Sequence, residues 1–275
     1  VRLSYFLWRA PPDEALYQTA EKGTLKDSAE LNRQVDRMLA NPKAEAFYHS
    51  FMSQWFELHR FDDIAVNPQD YLMFDEQVRY SAREEPIRFF EHLVKKNLSL
   101  GNLIDSDFAM LDPLLAHFYG IQGVDGQGFR KVNLPPESPR GGLIGTTAFM
   151  IMGSTGDRTS PIIRGALVLD KFLHDPSADP PPNVPELTDA SKEPLPVREM
   201  IELHQSKAQC ASCHAKIDPT GYGLETFDAV GLWREEAKVG KRMEKIEQGG
   251  TLPGGKTYDD FEQFKSLLME NKNKL

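Results

Sequence analysis

The chain has 275 residues, of which 40% are hydrophobic and 10% aromatic, enough for one large globular domain or two ordinary ones. Its formal net charge is −9, and its Lys and Arg residues are scattered. Nucleic acid is therefore excluded as a partner, because neutralising phosphates requires a basic face. The sequence holds no apolar run of about 18 residues, so no membrane span is predicted.

Residues 1–133 have the pattern of a helical region. Asp27 and Ser28 are typical helix caps, and they precede a stripe of apolar residues that ends at Asn41-Pro42. A second helix is predicted from apolar residues at helical spacing, namely Phe47, Phe51, Trp55 and Leu58. Further stripes include Val78, Phe89, Phe90 and Leu93, and then Leu114, Leu115 and Phe118. Aromatic residues at this spacing favour an ordinary core over a cofactor pocket.

The second half contains shorter elements. A helix is predicted over residues 162–173, followed by a proline-rich spacer at 179–185 that cannot lie inside a helix. An amphipathic helix is predicted over residues 197–209, a hairpin around the Gly/Pro-rich turn at 249–255, and a last helix containing Phe261 and Phe264. We therefore predict a mainly α protein with three parts: a helical domain (1–133), a middle domain with the spacer (134–190) and a small class I cytochrome-c-like haem domain (191–275).

Both cysteines of the chain lie in one stretch, Cys210-Ala211-Ser212-Cys213-His214. This C-x-x-C-H spacing is that of a c-type haem site, in which two thiols bind the vinyl groups and the imidazole binds the iron. A redox-active C-x-x-C and a disulfide are the alternatives. The first would need a βαβ context, which the sequence lacks, and neither requires the histidine. The motif predicts one covalent haem c with His214 as the proximal ligand.

Covalent haem attachment takes place outside the cytoplasm, so we expect a periplasmic or otherwise extracytoplasmic protein. Residues 1–6 nevertheless lack the basic start and apolar centre of a signal peptide, and the first residue is Val1 rather than Met. We therefore expect the chain to be a fragment of a longer protein.

Several motifs together resemble a known family, the multi-domain cytochrome-c-associated proteins of planctomycetes and related bacteria. Residues 3–8 (LSYFLW) and 115–121 (LAHFYGI) resemble the start and end of its opening helical domain. Residues 140–143 (RGGL) with 158–165 (RTSPIIRG) resemble its middle domain. Residues 210–219 and 224–234 (LETFDAVGLWR) resemble its C-terminal haem domain. The resemblance covers nearly the whole chain and implies an exported haem protein, but no particular substrate.

The distal iron ligand would decide the chemistry, since Met or His gives an electron carrier and an open position allows ligand binding. The candidates from the sequence are Met150, Met152, His204 and His117. For both methionines core filling is the alternative, and for His204 a solvated position or a contact with a haem propionate. His117 would require two domains to close on the haem.

The haem propionates need hydrogen-bond donors, and the candidates are Arg158, Arg164, Trp233 and Arg234. The alternative for Arg158 and Arg164 is that they brace a loop against Asp157 or Asp170. Asp218 and Asp228 are a weak pair for a metal site and are predicted to cap turns instead.

From these patterns we expect an exported c-type cytochrome that exchanges electrons with a redox partner protein. The first alternative is a haem-dependent oxidoreductase whose helical domain covers an open or exchangeable iron site. The second is a scaffold or surface-assembly component in which the haem is ancillary. The sequence leaves the oligomeric state open.

Overall fold

The structure is a computed structural model that describes residues 1–178, 195–205 and 208–274. It is about 53% helical with a few short strands, so the predicted mainly α class is confirmed. The proline-rich spacer at 179–185, and with it the predicted boundary near residue 190, lies outside the described residues. None of the described helices is both long and apolar enough to span a membrane.

The described residues form twelve α-helices and three two-stranded sheets. The helices are α1 (Arg2–Trp8), α2 (Glu14–Glu21), α3 (Ser28–Leu39), α4 (Glu45–Trp55), α5 (His59–Asp63), α6 (Glu76–Lys96), α7 (Pro113–Phe118), α8 (Thr147–Met152), α9 (Pro161–Lys171), α10 (Val197–Gln205), α11 (Ala208–Gly221) and α12 (Phe261–Met269). The strands are β1 (Phe108–Leu111), β2 (Arg130–Asn133), β3 (Glu236–Val239), β4 (Arg242–Lys245), β5 (Gly250–Thr251) and β6 (Thr257–Tyr258). They pair β1 with β2, β3 with β4 and β5 with β6, each pair antiparallel.

The predicted cap of α3 is confirmed. The Asp27 carboxylate accepts hydrogen bonds from the backbone N–H groups of Ala29 and Glu30, which have no partner inside the helix. At the other end, Asn41 accepts from the backbone N–H of Lys43, and Pro42 starts a new turn. These local contacts separate α3 from α4 at the predicted position.

The long helix α6 packs against α4 in the first half of the core. The Phe51 ring stacks on Phe90 with centroids 4.7 Å apart, but Phe51 remains 36% exposed. The most buried residues of α4 are Tyr48 and Met52, one position beyond the predicted stripe of Phe47, Phe51 and Trp55. Because α4 is apolar over more than one face, periodicity alone does not identify the face that is buried.

The prediction of helix throughout residues 1–133 is wrong at β1 and β2. Phe108 pairs with Asn133 and Leu111 with Arg130 in this antiparallel pair, whose strands are connected through α7. All four residues of β1 are buried, so the strand lacks the apolar–polar alternation that distinguishes a strand from a helix in sequence. β1 contacts α6, so the strand pair belongs to the same core.

Two glycines bring α9 and α11 into backbone contact. A Cβ on Gly165 would lie 2.0 Å from the carbonyl oxygen of Ile217, and one on Gly221 would lie 1.9 Å from that of Pro161. Only hydrogen fits at these positions. The contact fixes α11, the helix that carries the C-x-x-C-H motif, against the middle of the chain.

After α11 the chain forms the β3–β4 hairpin, the β5–β6 hairpin and α12. The turn predicted at residues 249–255 and the last helix are confirmed, whereas the β3–β4 hairpin was not predicted. A class I cytochrome-c-like fold for residues 191–275 stays a prediction.

Candidate haem site

The C-x-x-C-H motif lies in α11. Residues three apart on a helix are neighbours on its surface, with Cβ atoms about 5–6 Å apart, so Cys210 and Cys213 lie on the same side of the helix. Neither cysteine is in a disulfide; Cys213 is exposed and Cys210 is partly buried. Both thiols therefore lie where one flat group beside the helix can reach them.

His214 is held by a buried carboxylate. Its Nδ1 lies 3.0 Å from both Oδ1 and Oδ2 of Asp218, one helical turn further along α11. Asp218 is completely buried. An ionised carboxylate only accepts hydrogen bonds, so Nδ1 carries the hydrogen and Nε2 is the nitrogen that would bind iron. The hydrogen bond to Asp218 raises the pKa of the His214 imidazole, against burial, which lowers it.

A second side chain holds Asp218 from the neighbouring helix. Gln205, at the end of α10, donates from Nε2 to Asp218 Oδ2 over 2.7 Å. Arg198, at the start of α10, lies over the Tyr222 ring at 4.4 Å and donates to the carbonyl of Gly249. α10 is thus fixed to α11 and to the segment that follows it, and its last residue completes the contacts around Asp218.

The C-terminal end of α11 differs from the sequence prediction. Asp218 and Pro219 predicted a turn, because the residue before proline disfavours helix. Instead α11 continues through Pro219 to Gly221. Tyr258 supports this end, donating from its hydroxyl to the Pro219 carbonyl over 2.6 Å and accepting from the Gly223 N–H. Asp218 therefore faces His214 rather than capping a turn, whereas Asp228 does cap one, accepting from Val230 N–H and Leu232 N–H.

Arg164 braces a loop, although with different partners from those predicted. It is completely buried and donates to the carbonyls of Leu224, Phe227 and Asp228, with Glu225 Oε1 at 3.4 Å. Burial lowers the pKa of Arg164 to about 10, so the guanidinium stays charged at neutral pH. The donors of Arg164 are thereby directed at the loop of residues 224–228.

Of the other three proposed propionate donors, Trp233 and Arg234 contact the same loop. Arg158 is exposed in the turn before α9. Trp233 is 38% exposed, and its ring packs edge-on against Phe227. Arg234 donates from Nε to the carbonyl of Glu225. The assignment of Arg158, Arg164, Trp233 and Arg234 to a haem stays a prediction.

The four distal candidates lie on three elements. Met150 and Met152 are buried on α8 within the main apolar cluster, consistent with the core-filling alternative. His117 is exposed on α7. His204 belongs to α10, and its side chain lies outside the described residues. The identity of the distal ligand stays a prediction.

The residues present fit a covalently bound haem. Within residues 1–178, 195–205 and 208–274, no three His, Cys, Asp or Glu side chains form a metal-binding group. A haem iron requires none, because the porphyrin supplies four ligands and the protein adds an axial imidazole. The described strand pairs are all antiparallel, whereas the βαβ context of a redox-active C-x-x-C has parallel strands. Two unpaired thiols beside an oriented histidine are what a c-type haem needs.

Two family models match consecutive parts of the chain. Residues 1–121 match the PSD4 family, described as a protein of unknown function (DUF1592), and residues 140–237 match the PSCyt3 family, also described as a protein of unknown function (DUF1588). The chain thus contains two consecutive domains of the planctomycete cytochrome-c-associated type, as the motifs predicted. The second match includes the C-x-x-C-H motif. No curated protein and no solved structure is significantly similar to the chain.

Proposed function

We propose that the protein is an exported c-type cytochrome that carries one covalent haem on α11 and transfers electrons to or from a partner protein. One observation carries the proposal: the histidine of the only C-x-x-C-H motif is held at Nδ1 by the buried carboxylate of Asp218. Metal-binding histidines have such a second partner, which fixes the tautomer and the ring orientation. A histidine serving only as a surface residue would not require it.

Each residue of the site has a defined task. Cys210 and Cys213 would form thioethers through Sγ, His214 would bind through Nε2, and Asp218 holds the hydrogen on Nδ1. The bound haem would supply one-electron iron chemistry. Because Cys213 is exposed, a haem attached to it would be accessible to a partner protein.

The test of haem attachment is expression in a bacterial periplasm that contains the haem-attachment machinery. We expect a haem-stained band on a denaturing gel and a mass increase of one haem per chain. Replacing both thiols (Cys210→Ala with Cys213→Ala) should abolish both signals. Ser212→Ala, inside the motif but without a ligand role, should leave them unchanged. An unstained wild-type chain, or stain that persists without the thiols, contradicts the proposal.

The spectrum of the reduced protein separates electron transfer from the alternatives. A carrier is low-spin and does not bind CO, because both axial positions are filled. A high-spin iron that binds CO and reacts rapidly with peroxide would instead identify an oxidoreductase. A low-spin haem that no electron-transfer protein can reduce or oxidise would favour a scaffold role.

A further inference from the structure

Asp218 is a fully buried carboxylate with two described partners, neither of which carries a fixed charge. It accepts from His214 Nδ1 at 3.0 Å and from Gln205 Nε2 at 2.7 Å. Burying a carboxylate without a charged partner costs free energy of folding unless strong hydrogen bonds compensate. The contacts of Asp218 thus direct its negative charge chiefly at one imidazole.

We propose that Asp218 is a positioning residue that sets the reduction potential of the iron through His214. The inference deepens the proposed function and rests on it. The carboxylate holds the imidazole with Nε2 toward the metal and, by accepting the Nδ1 hydrogen, increases the electron density on the ring. Among the residues around the motif, Asp218 is thus the one that adjusts the reduction potential of the haem.

The direction of the effect follows from charge. A carboxylate partner makes a histidine ligand more basic, and a more basic ligand stabilises Fe(III) relative to Fe(II). The reduction potential is therefore lower than it would be with a neutral partner. Because Asp218 is completely buried, salt and water screen this charge far less than they would at the surface.

Gln205 acts on the same charge in the opposite direction. Its amide donates to Asp218 Oδ2 and so competes with His214 for the electron density of the carboxylate. Removing this donor leaves the carboxylate a stronger acceptor for Nδ1–H. The two residues therefore predict potential shifts of opposite sign, which a general loss of structure would not produce.

The experiment measures the midpoint potential of the haem-loaded chain in three variants. Asp218→Asn keeps the size of the side chain, and the Gln205 amide can rotate to accept from the new amide. We expect a positive shift of at least tenfold in the reduction equilibrium, which is about 59 mV for one electron. Gln205→Met, which keeps the length but removes the donor, should shift the potential in the negative direction.

The matched control is Asp175→Asn. Asp175 Oδ1 lies 2.6 Å from Lys216 Nζ, and Lys216 is on the same helix as His214. This variant also removes one carboxylate charge next to α11, but at the surface and away from the imidazole. Its shift should be less than a third of that of Asp218→Asn.

The outcomes are distinguishable. A wild-type chain without covalent haem contradicts the proposed function and this inference with it. If haem is attached but Asp218→Asn shifts the potential no more than Asp175→Asn, this inference alone is wrong. If Asp218→Asn does not retain haem, Gln205→Met decides: a negative shift supports the role of Asp218, and an unchanged or positive one overturns it.

Discussion

The two matched regions of the chain are stabilised in different ways. In residues 1–121, apolar side chains form contacts between helices, as where Phe51 stacks on Phe90, and ion pairs such as Arg83–Asp62 lie toward the surface. The exceptions are the buried acids Glu84 and Glu85 of α6. In residues 140–237, charged groups lie inside. Arg164 is completely buried among backbone carbonyls, and Asp218 is buried against His214.

This difference predicts how each region responds to substitution. Apolar contacts are non-directional, so a core of similar total volume tolerates exchange. Buried charges depend on partners at fixed positions, and a glycine contact leaves no room for an added atom. We therefore expect single substitutions to be most damaging in the region around α9 and α11, which is also the region that carries the motif.

The largest effect is expected for Arg164→Met, which removes the cation at the centre of the second region. Three carbonyls lose their donor, and Glu225 loses a buried partner. Breaking a buried charge pair in this way costs about 3–5 kcal/mol. Urea denaturation gives the free energy of unfolding.

The matched substitution in the first region is Arg83→Met, which breaks the partly exposed pair with Asp62. Exposed ion pairs contribute at most about 1 kcal/mol. Equal losses in the two variants would show that the contrast between the regions is wrong.

A somewhat smaller effect is expected for Gly165→Ala. The added Cβ would meet the backbone of Ile217, and α9 and α11 would have to separate. Overpacking against backbone costs about 3 kcal/mol, whereas alanine in a helix otherwise adds up to about 1 kcal/mol of stability. Gly249→Ala, where the nearest backbone oxygen would be 3.3 Å away, is the control; it requires a much smaller shift of the neighbouring backbone and should cost clearly less stability than Gly165→Ala. A more stable Gly165→Ala protein would contradict the close contact.

The smallest effect concerns Glu85, at the junction of the two regions. Tyr119 donates to Glu85 Oε2 over 2.6 Å and accepts from the N–H of Thr147 at the start of α8. Burial raises the pKa of Glu85 from its ordinary 4.5 to about 8. The folded state therefore binds a proton that the unfolded state has released, and stability falls as the pH rises from 4.5 toward 8.

Glu85→Gln removes this dependence, because a neutral amide can still accept from Tyr119. The difference in unfolding free energy should grow in favour of the variant as the pH rises. Between about pH 6 and pH 8 we expect this difference in unfolding free energy to change by about 2 kcal/mol. One proton bound only in the folded state changes the unfolding free energy by about 1.4 kcal/mol per pH unit. Urea denaturation at both pH values measures it. Parallel curves for the two proteins would mean that Glu85 is ionised in the fold throughout this range.

The elements that were predictable from sequence depend on near neighbours. The cap of α3 involves Asp27 and the two or three residues after it, and Pro42 starts the next turn directly after α3. By contrast, all four residues of β1 are buried, because β1 packs against α6 and α7 and pairs along its edge with β2. The sequence of β1 has no apolar–polar alternation that would predict this burial.

The site was predicted in part for the same reason. The spacing of Cys210, Cys213 and His214 is local and predicts a c-type haem site. The Asp218 partner has a local signal as well, since residues four apart on a helix face each other. The expectation that Asp218 caps a turn hid that signal. α11 instead continues through Pro219, whose carbonyl accepts a hydrogen bond from Tyr258, 39 residues away in sequence.

Sequence alone thus determined the mainly α class, several helix ends, the family resemblance and the haem motif, because each depends on residues close together in the chain. Only the tertiary structure decided that Arg164 braces the loop of residues 224–228 and that two glycines bring α9 against α11. It also decided that Gln205 donates to Asp218, which in turn holds His214. These contacts join α9, α10 and the loop after α11 to one helix. Their geometry depends on how separate elements pack, which local pattern does not encode.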